Sequence, residues 1–499
     1  MNLAAALQAR AAERGFGDRP ALVDGRRTLS HHALHEGAAR AASLLAVMGV
    51  RQGATVLLAL PDGAELAWAF LATVRLGALA VPVNPRLPPD DHRHLAEDCR
   101  AGLVVCSAEL ADRFAGRPVL PGDSLASSLA GQDPCPAVPV DPADPAYAQY
   151  TSGTTGAPRA AVHRHGDPLV YAEAFAEPAL RLGPADVVLS VSKMHFAYGL
   201  GNSLFFPLLT GARAVVHPGR PSPEAIVPLI RDHRATVLFS VPTFYATLLR
   251  AAAPAEAFTS LRVAVSAGER LTSGLAERAS DLLGCPLLDS LGSTEVGQAF
   301  VGGTLECTRT GTIGRALAPY EIAVRDDEGR TCPPGTAGRL WVRGPTILLE
   351  YLGRPEATAA ALDGDWLCTG DLASLDEDGF VSHHGRADDM EMVGGITVAP
   401  QEIEELISRH PAVCEVAVAA VAEADGSARL QAFVVPVPGV SADERLGREL
   451  AELARHQLAA YKVPRCVRFV DALPRTPTGK LRRFVLRSGA GWPTLSQAG

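Results

Sequence analysis

The sequence predicts an α/β fold for most of the chain, because short apolar runs rich in β-branched residues alternate with helical patterns through roughly the first 290 residues. The apolar runs include ATVLLAL (54–60), DVVLSVS (186–192), ATVLFSVP (235–242) and LRVAVSAGE (261–269). A typical helical pattern is AELAWAFLATVRLGA (64–78). Runs that are apolar throughout indicate parallel strands buried on both faces. Ligands of such folds bind at the carboxyl ends of the strands.

The sequence pattern changes near residue 310 and predicts a small β-rich lobe from there. The stretch from Tyr320 to Gly344 has two apolar segments separated by the turn signals Asp-Glu-Gly and Pro-Pro-Gly.

The last hundred residues predict a compact α+β unit. We expect a helix near 400–410, strands at 415–421 and 430–436, a helix from Ser441 to about Ala460 and a strand at 466–470. The predicted domains are therefore residues 1–387 and 388–499, with the boundary at Asp388. The fold class is a large N-terminal domain of α/β subdomains with a β-rich lobe, followed by a small, mobile α+β domain.

Length and charge exclude several classes of protein. A chain of 499 residues is too long for one core and indicates at least two domains. The net charge of −9 argues against a partner nucleic acid. No apolar run approaches a membrane span, and the amino terminus lacks the order of a secretory signal, so we expect a cytoplasmic protein without membrane partners. Nine cysteines without a CxxC spacing predict buried free thiols.

The stretch YTSGTTGAPR, Tyr150 to Arg159, concentrates small donors. Gly153 and Gly156 would let successive backbone N–H groups face one anion, and Arg159 adds charge. Ser152, Thr154 and Thr155 add hydroxyl donors. The run is not a Walker loop, and by itself it is equally typical of a polar surface loop.

Two carboxylates stand in further short motifs. In LGSTE (291–295), Glu295 follows an apolar strand and would suit Mg²⁺ beside a polyphosphate, since Mg²⁺ takes one or two carboxylates plus phosphate oxygens. In TGD (369–371), we expect a turn in which Asp371 accepts two ribose hydroxyls.

Two cations complete the set. GRADD (385–389) supplies Arg386, and PRTPTGK (474–480) ends in Lys480 on a loop rich in Pro and Gly. An exposed lysine is usually a solvated charge, unless its loop folds back onto an anion.

These five stretches, in this order, resemble the adenylate-forming superfamily of acyl- and aryl-CoA ligases, adenylation domains and luciferases. The resemblance covers nearly the whole chain. FAYGLGNSLFFPL (196–208), LGSTE and GRADDMEMVGGITVAPQEIE (385–404) are most similar to the benzoate–CoA ligase branch.

The resemblance implies a site for ATP and Mg²⁺. Glu295 would hold the metal, Thr294 would contact the α-phosphate, and Arg159 and Lys480 would complete the catalytic set. Asp388 would be the hinge of the small domain. The residues expected to bind the nucleotide are Thr151, Ser152, Gly153, Thr154, Thr155, Gly156, Gly268, Glu269, Asp289, Ser290, Leu291, Gly292, Asp371 and Arg386.

The resemblance also implies an acid pocket, formed by Ala197, Tyr198, Gly292, Gln298 and Ala299. Gln298 and Ala299 replace a histidine and a bulky aliphatic residue of the branch. One hypothesis is therefore an aryl acid larger and more polar than benzoate, with hydroxyl, amino or methoxy groups. The alternative is that Gln298 only caps backbone.

Three histidines lie near these motifs, and two lysines that are usual in the family are replaced. His195 fits a pocket gate only loosely, and solvated or capping roles are favoured for His163 and His165. Arg159 stands where the family usually has lysine, and keeps the charge. Met392 also replaces a lysine, which removes a cation, whereas Gly394-Gly395 remains suited to a pantetheine arm.

The resemblance therefore predicts activation of an aromatic acid to an acyl-adenylate, followed by transfer to coenzyme A. Alternatives are a freestanding adenylation enzyme that loads the pantetheine of a carrier protein, a relative that uses nitrite to form diazo products, and a catalytically inactive nucleotide-binding module. A homodimer stays open, since dimers are common among such proteins.

The assignment of Lys480 gives a first prediction. Lys480→Ala should cripple formation of the acyl-adenylate but spare attack of a thiol on a supplied acyl-adenylate, because the ammonium is needed only where carboxylate meets α-phosphate. The two half-reactions are measured separately by pyrophosphate exchange and by thioester release. Equal loss of both would contradict the role.

Overall fold

The computed structural model describes residues 1–25, 27–151, 158–387, 390–393, 396–422, 428–475, 481–488 and 496–498. Two parts follow one another along the chain. The larger holds the elements up to Arg386, and the smaller holds those from Glu391 onward.

The strands of the large part begin and end as follows: β1 Pro20–Val23, β2 Thr28–Ser30, β3 Thr55–Ala59, β4 Leu79–Pro82, β5 Leu103–Cys106, β6 Val119–Pro121, β7 Pro145–Thr151, β8 Arg159–Arg164, β9 Val187–Ser190, β10 Arg213–Val215, β11 Val237–Ser240, β12 Val263–Ser266, β13 Leu287–Gly292, β14 Ala299–Gly302, β15 Arg315–Ala316, β16 Glu321–Arg325, β17 Gly338–Arg343, β18 Leu362–Asp363, β19 Trp366–Leu375 and β20 Val381–Arg386.

Its helices are α1 Leu3–Glu13, α2 His31–Val47, α3 Ala64–Arg75, α4 Pro89–Asp98, α5 Gly122–Ser128, α6 Asp167–Tyr171, α7 Ala197–Leu200, α8 Phe206–Thr210, α9 Pro223–His233, α10 Pro242–Arg250, α11 Ser273–Leu283 and α12 Pro355–Ala361. The small part contains β21 Glu391–Val393, β22 Ile396–Val398, α13 Pro400–Ser408, β23 Val413–Ala422, β24 Ala428–Pro436, α14 Glu444–Gln457, β25 Cys466–Phe469, α15 Arg483–Arg487 and β26 Ser496–Ala498.

Two large sheets confirm the predicted α/β class. One has the strand order β6-β5-β3-β4-β7-β8, and the other has the order β15-β14-β13-β12-β11-β9-β10-β1-β2. The apolar runs predicted as strands are β3, β9, β11 and β12, and each pairs in parallel with its neighbours. The carboxyl ends of these strands therefore meet along one edge of each sheet.

Helix α3 lies at the centre of the core, and all of its twelve residues are buried. Its many alanines allow close approach of neighbouring elements. At Gly37 of α2, a Cβ would overlap the indole of Trp68, so glycine is required where the two helices cross.

The β-rich lobe is confirmed as a five-stranded sheet in which β16, β17, β19 and β18 follow in order and β20 pairs with β19. One expectation within it is wrong. Asp371 lies inside strand β19 rather than in a turn, as the cross-strand partner of Arg386. The turn signal came from Gly370, whose φ of +77° is accommodated within the strand.

The small part has the predicted α+β order, with β23 antiparallel and β25 parallel to β24. Its helix α14 is shorter than the predicted span from Ser441 to Ala460. Asp443 caps its start by accepting the N–H of Leu446 at 3.0 Å, and the extended backbone of Leu458 ends it. The domain boundary at Asp388 stays a prediction, since that residue lies outside the described ranges.

All nine cysteines are free thiols, as expected, but only four of them are buried, namely Cys99, Cys106, Cys285 and Cys414.

The described helices include none whose length and apolar character would let it cross a membrane.

Candidate functional site

Strands β7 and β8 bring the two ends of the phosphate-loop candidate together. Thr151 and Arg159 are cross-strand partners at the end of this antiparallel pair where residues 152–158 connect the two strands. Of the residues expected to bind phosphate, Ser152 to Gly156 lie outside the described residues. The guanidinium of Arg159 lies over the ring of Tyr351, 4.5 Å from its centroid.

Tyr351 connects Arg159 with Glu295, the predicted magnesium ligand. The Tyr351 hydroxyl donates to Glu295 Oε1 at 2.8 Å. Burial, with the charge of Glu295, raises the pKa of Tyr351 above its ordinary value, so the hydroxyl stays a donor at neutral pH. The structure thus gathers a cation and a carboxylate from two different sheets around one phenol.

The segment that carries Tyr351 also fixes both sheets through its backbone. Along β8, Leu349 N–H donates to Val162 O and Leu352 N–H to Ala160 O, each at 2.8 Å. On the other side, Leu348 N–H donates to Glu295 O at 2.7 Å. The turn after β13 therefore cannot shift relative to β8 without the loss of these bonds.

Asp371 and Arg386, both expected to bind the nucleotide, are cross-strand partners on neighbouring strands. Asp371 Oδ1 lies 3.2 Å from His383 Nε2 and 3.7 Å from Arg386 Nη1. Burial alone would raise the pKa of Asp371, but the hydrogen bond and charge of His383 and the charge of Arg386 outweigh it and lower the pKa. A carboxylate that stays ionised can accept hydrogen bonds from a vicinal diol.

Gly268 and Glu269 follow β12, at the edge of the nine-stranded sheet. Gly268 has a φ of +83°, a conformation that favours glycine. Glu269 is held by Thr243, whose hydroxyl donates to Oε2 at 2.5 Å. On the adjacent β13, the Ser290 hydroxyl donates to Ser266 O at 3.0 Å, and burial raises the pKa of Asp289.

A four-residue ionic network joins the small part to this edge. Arg475 donates to Glu269 Oε2 at 3.1 Å and to Glu415 Oε2 at 2.7 Å, and Arg250 donates to Glu415 Oε1 at 2.9 Å. Glu269 and Arg250 belong to the large part, and the other two residues to the small part. Arg475 therefore lies beside the predicted adenine site, although residues 476–480, the rest of PRTPTGK with Lys480, lie outside the described residues.

The acid-pocket residues come together between α7 and β14. Gly292 and Ala299 are cross-strand partners, and a Cβ at Gly292 would lie 2.7 Å from Gln298 O. Helix α7, which holds Ala197 and Tyr198, continues into a π-helical turn from Gly201 to Phe205. A Cβ at Gly201 would overlap the Gln298 amide nitrogen, so helix and strand are in contact there.

The structure shows one of the two roles that the sequence left open for Gln298 and leaves the other as a prediction. Its side-chain oxygen accepts the N–H of Ala299 at 3.1 Å, which is the capping role. Its amide nitrogen Nε2 is buried and has no partner among the described residues. A buried donor without an acceptor is costly, so this nitrogen is available to a ligand.

The sequence matches one protein family over most of its length. The profile of the AMP-binding enzyme family matches residues 7–352, and that of the AMP-binding enzyme C-terminal domain matches residues 402–480. The chain belongs to the AMP-binding enzyme family.

Relatives and a solved structure extend this finding. The chain is 45% identical to the p-hydroxybenzoic acid–AMP ligase of Mycobacterium tuberculosis, over 97% of this chain and 68% of the relative. It is 36% identical to the benzoate–CoA ligase of Thauera aromatica, over 95% and 93% of the two chains. The crystal structure of a benzoate–CoA ligase from Burkholderia xenovorans superimposes with a TM-score of 0.91 at 34% identity, covering 98% of this chain and all of that one.

The predicted superfamily and fold class are therefore confirmed, including the large AMP-binding domain and the small C-terminal domain. This AMP-binding enzyme is an ATP-dependent, adenylate-forming ligase that acts on aryl acids.

The donor set of the AMP-binding enzyme fits Mg²⁺ bound mainly by substrate. Within the part of the chain that the structure describes, His, Cys, Asp and Glu nowhere gather in a group of three that could hold a metal. Glu295 offers one carboxylate near the hairpin of β7 and β8, which we call the phosphate hairpin after its predicted role. Mg²⁺ commonly takes one or two carboxylates and completes its shell with phosphate oxygens and water.

All three histidines are buried. Of the two roles favoured for His163, solvation is wrong, and the bond of its Nε2 to the main-chain oxygen of Thr294 is a backbone-capping contact. His165 has the predicted capping role, since its Nδ1 accepts the first N–H of α1 from Leu3 at 3.1 Å. His195 is buried against Phe196, and burial, with the charge of Lys193, lowers its pKa to about 3, so the ring is neutral.

Sequence motifs did not single out four residues that hold this site together: Tyr351, His383, Thr243 and Arg475. Arg475 stands within PRTPTGK and could have been noticed as a second cation. The others are scattered, and their partners are 26 or 56 residues away for Thr243 and Tyr351, so no local pattern marks them.

The ionic network predicts an effect restricted to one half-reaction. Arg475→Gln should slow pyrophosphate exchange by about tenfold, because Glu269 loses its partner in the orientation that brings the PRTPTGK segment to the nucleotide. Thiol attack on a supplied aryl-adenylate should be retained.

The matched control is Arg482→Gln, whose guanidinium lies on the exposed ring of Phe484, 4.7 Å from the centroid. This variant should leave both half-reactions unchanged. A parallel decline of both half-reactions in Arg475→Gln would refute the assignment.

Proposed function

We propose that this enzyme activates a hydroxybenzoate to its acyl-adenylate, with 4-hydroxybenzoate as the preferred acid, and transfers the acyl group to coenzyme A. The observation that carries the choice of acid is the buried Gln298 Nε2, a donor without an acceptor among the described residues. A hydroxyl or methoxy oxygen accepts such a hydrogen bond well, whereas an aryl amine accepts it poorly.

The relatives support an acid with an oxygen substituent. One relative is named for p-hydroxybenzoic acid and shares 45% of its residues with this chain. The benzoate–CoA ligase of Thauera aromatica is less similar, at 36%. The larger and more polar acid inferred from Gln298 and Ala299 agrees with this order.

The chemistry begins with repulsion between like charges. The acid's carboxylate must attack the α-phosphorus of ATP and expel pyrophosphate, so positive potential is needed where negative charge develops. Arg159 supplies it at the phosphate hairpin, held against Tyr351, and Lys480 would supply it at the reacting oxygen. When bound at Glu295, Mg²⁺ would neutralise phosphate charge.

Ribose recognition is assigned to Asp371 and Arg386. The lowered pKa of Asp371 keeps the carboxylate ionised and able to accept both ribose hydroxyls. Arg386 is anchored to Thr369 O at 2.8 Å, which holds its guanidinium beside that carboxylate. Gly268, Glu269 and residues 289–292 would border adenine at the ends of β12 and β13.

Transfer to the thiol requires a different face of the small domain. Residues 388–499 would rotate about Asp388, which would separate Arg475 from Glu269 and exchange Lys480 for Gly394-Gly395 at the site. Asp388, Gly394, Gly395 and Lys480 lie outside the described residues. Rotation would break the two ion pairs that join the parts, Arg475–Glu269 and Arg250–Glu415, and would keep Arg475–Glu415, which lies within the small part.

A second candidate acceptor is the pantetheine of a carrier protein. The relative at 45% identity is named an acid–AMP ligase rather than a CoA ligase. Met392 is 58% exposed on the small domain, where many relatives have lysine, and an apolar side chain there suits a protein partner better than an anion. Aryl thioester formation with CoA alone, compared with a CoA-free holo carrier protein, distinguishes the two acceptors.

The role of Gln298 predicts the order of acids in pyrophosphate exchange. 4-Hydroxybenzoate should exceed benzoate in kcat/KM by about tenfold, and Gln298→Met should abolish most of this preference, since methionine has a similar shape but no donor. Highest turnover with unsubstituted benzoate would contradict the proposed acid.

The control for this substitution is Gln431→Met. Gln431 is also a buried glutamine with an unpartnered side-chain atom, but it lies on β24 of the small domain. Its replacement should leave the ratio between the two acids unchanged. If both methionine variants shift that ratio equally, Gln298 does not recognise the ring hydroxyl of the acid.

A further inference from the structure

His163 lies directly beneath the turn that carries Thr294 and Glu295. It belongs to β8, and neither the residue nor its side chain is exposed to solvent. Its Nε2 is 2.7 Å from the main-chain oxygen of Thr294, 131 residues further along the chain. A carbonyl oxygen only accepts, so Nε2 carries a hydrogen and donates it.

The other ring nitrogen is held by two neighbours. His163 Nδ1 lies 3.2 Å from Asp167 Oδ2 and 3.3 Å from the hydroxyl of Tyr171. The Tyr171 hydroxyl is in turn 2.9 Å from that of Tyr147, whose ring stacks on the imidazole with centroids 5.2 Å apart. The imidazole therefore cannot rotate away from Thr294 without breaking this network.

Four consecutive carbonyls of the turn are each bonded to a different partner. Ser293 O accepts from Gly297 N–H, and Glu295 O from Leu348 N–H. Val296 O accepts from the Thr346 hydroxyl at 2.8 Å. Thr294 O is bonded to His163, the one partner with a titratable ring. The direction of each carbonyl sets the direction of the adjoining side chains.

The same network reaches the end of the turn. Gly297 has a φ of +86°, and a Cβ there would overlap the hydroxyl of Tyr171. Tyr171 thus contacts both His163 and the backbone at Gly297, which ties the imidazole to the turn at two points.

We propose that His163 is a positioning residue for adenylation, which fixes the Thr294 carbonyl and thereby aims the Thr294 hydroxyl and the Glu295 carboxylate at the magnesium nucleotide. The proposal rests on the function proposed above for these two residues. Displacement of such groups by about an ångström can lower turnover by about a hundredfold.

Two polar variants separate positioning from folding. The amide nitrogen of glutamine can take the place of Nε2, whereas that of asparagine takes the place of Nδ1 and does not reach Thr294 O. His163→Asn should lower pyrophosphate exchange by about ten- to a hundredfold and raise the Mg²⁺ concentration for half-maximal exchange by about tenfold. His163→Gln should stay within about threefold of the wild type in both quantities.

A second readout does not depend on turnover. The melting temperature is measured with ATP alone and with ATP plus Mg²⁺, in the absence of an acid. The wild type and His163→Gln should gain stability from the added Mg²⁺, and His163→Asn should lose most of that gain. His165→Gln is the control, since His165 is equally buried but its Nδ1 accepts the N–H of Leu3 in α1. Its Mg²⁺ dependence should equal that of the wild type.

The outcomes are distinguishable. Wild-type Mg²⁺ dependence in His163→Asn, or equal impairment of His163→Asn and His163→Gln, would overturn the positioning role. If the wild type catalyses pyrophosphate exchange with none of the aryl acids, the proposed function is wrong. The Mg²⁺-dependent shift in melting temperature still tests the role of His163 in that case. If the wild type shows neither pyrophosphate exchange nor a Mg²⁺-dependent shift in melting temperature, both the proposed function and the role of His163 are overturned.

Discussion

The hydrogen bonds of residues 346–352 hold the functional centre together, because they tie the turn after β13 to strand β8. Leu349 and Leu352 donate backbone hydrogen bonds to β8. Leu348 and Thr346 donate to the main-chain oxygens of Glu295 and Val296. The phosphate hairpin and the turn with Thr294 and Glu295 belong to different sheets, and this segment fixes the distance between them. Every buried polar group in such a junction needs a partner, which explains why the junction is saturated with hydrogen bonds.

Charge compensation is the second constraint. The proposed function would need ionised carboxylates for a metal and a ribose, and cations for phosphates, all in partly desolvated surroundings. Asp371 remains ionised because His383 and Arg386 lie beside it. Glu295 has Tyr351 as its donor, with Arg159 on the ring of that phenol. Each charge thus has a structural partner before any substrate binds, which limits the reorganisation that binding requires.

Much of the fold follows from local pattern. The β-branched runs at 54–60, 186–192, 235–242 and 261–269 form strands because they can be buried on both faces of a parallel sheet. The motifs predict a nucleotide site because each gathers polar, charged or small residues within a short stretch, and that site stays a prediction. One error is local as well: glycine before Asp371 indicated a turn, but strand β19 accommodates it. For His163 the sequence left solvated and capping roles open, and the two tyrosines that enclose the ring exclude the first.

The sequence by itself determined the family, the order of the elements and the identity of the charged groups, since these depend on composition and spacing along the chain. Only the tertiary structure decided which groups meet. Tyr351 beside Glu295, His163 beneath Thr294 and Arg475 against Glu269 each join segments 56, 131 and 206 residues apart. Contacts over such separations are set by the packing of whole sheets, and no local sequence pattern encodes them.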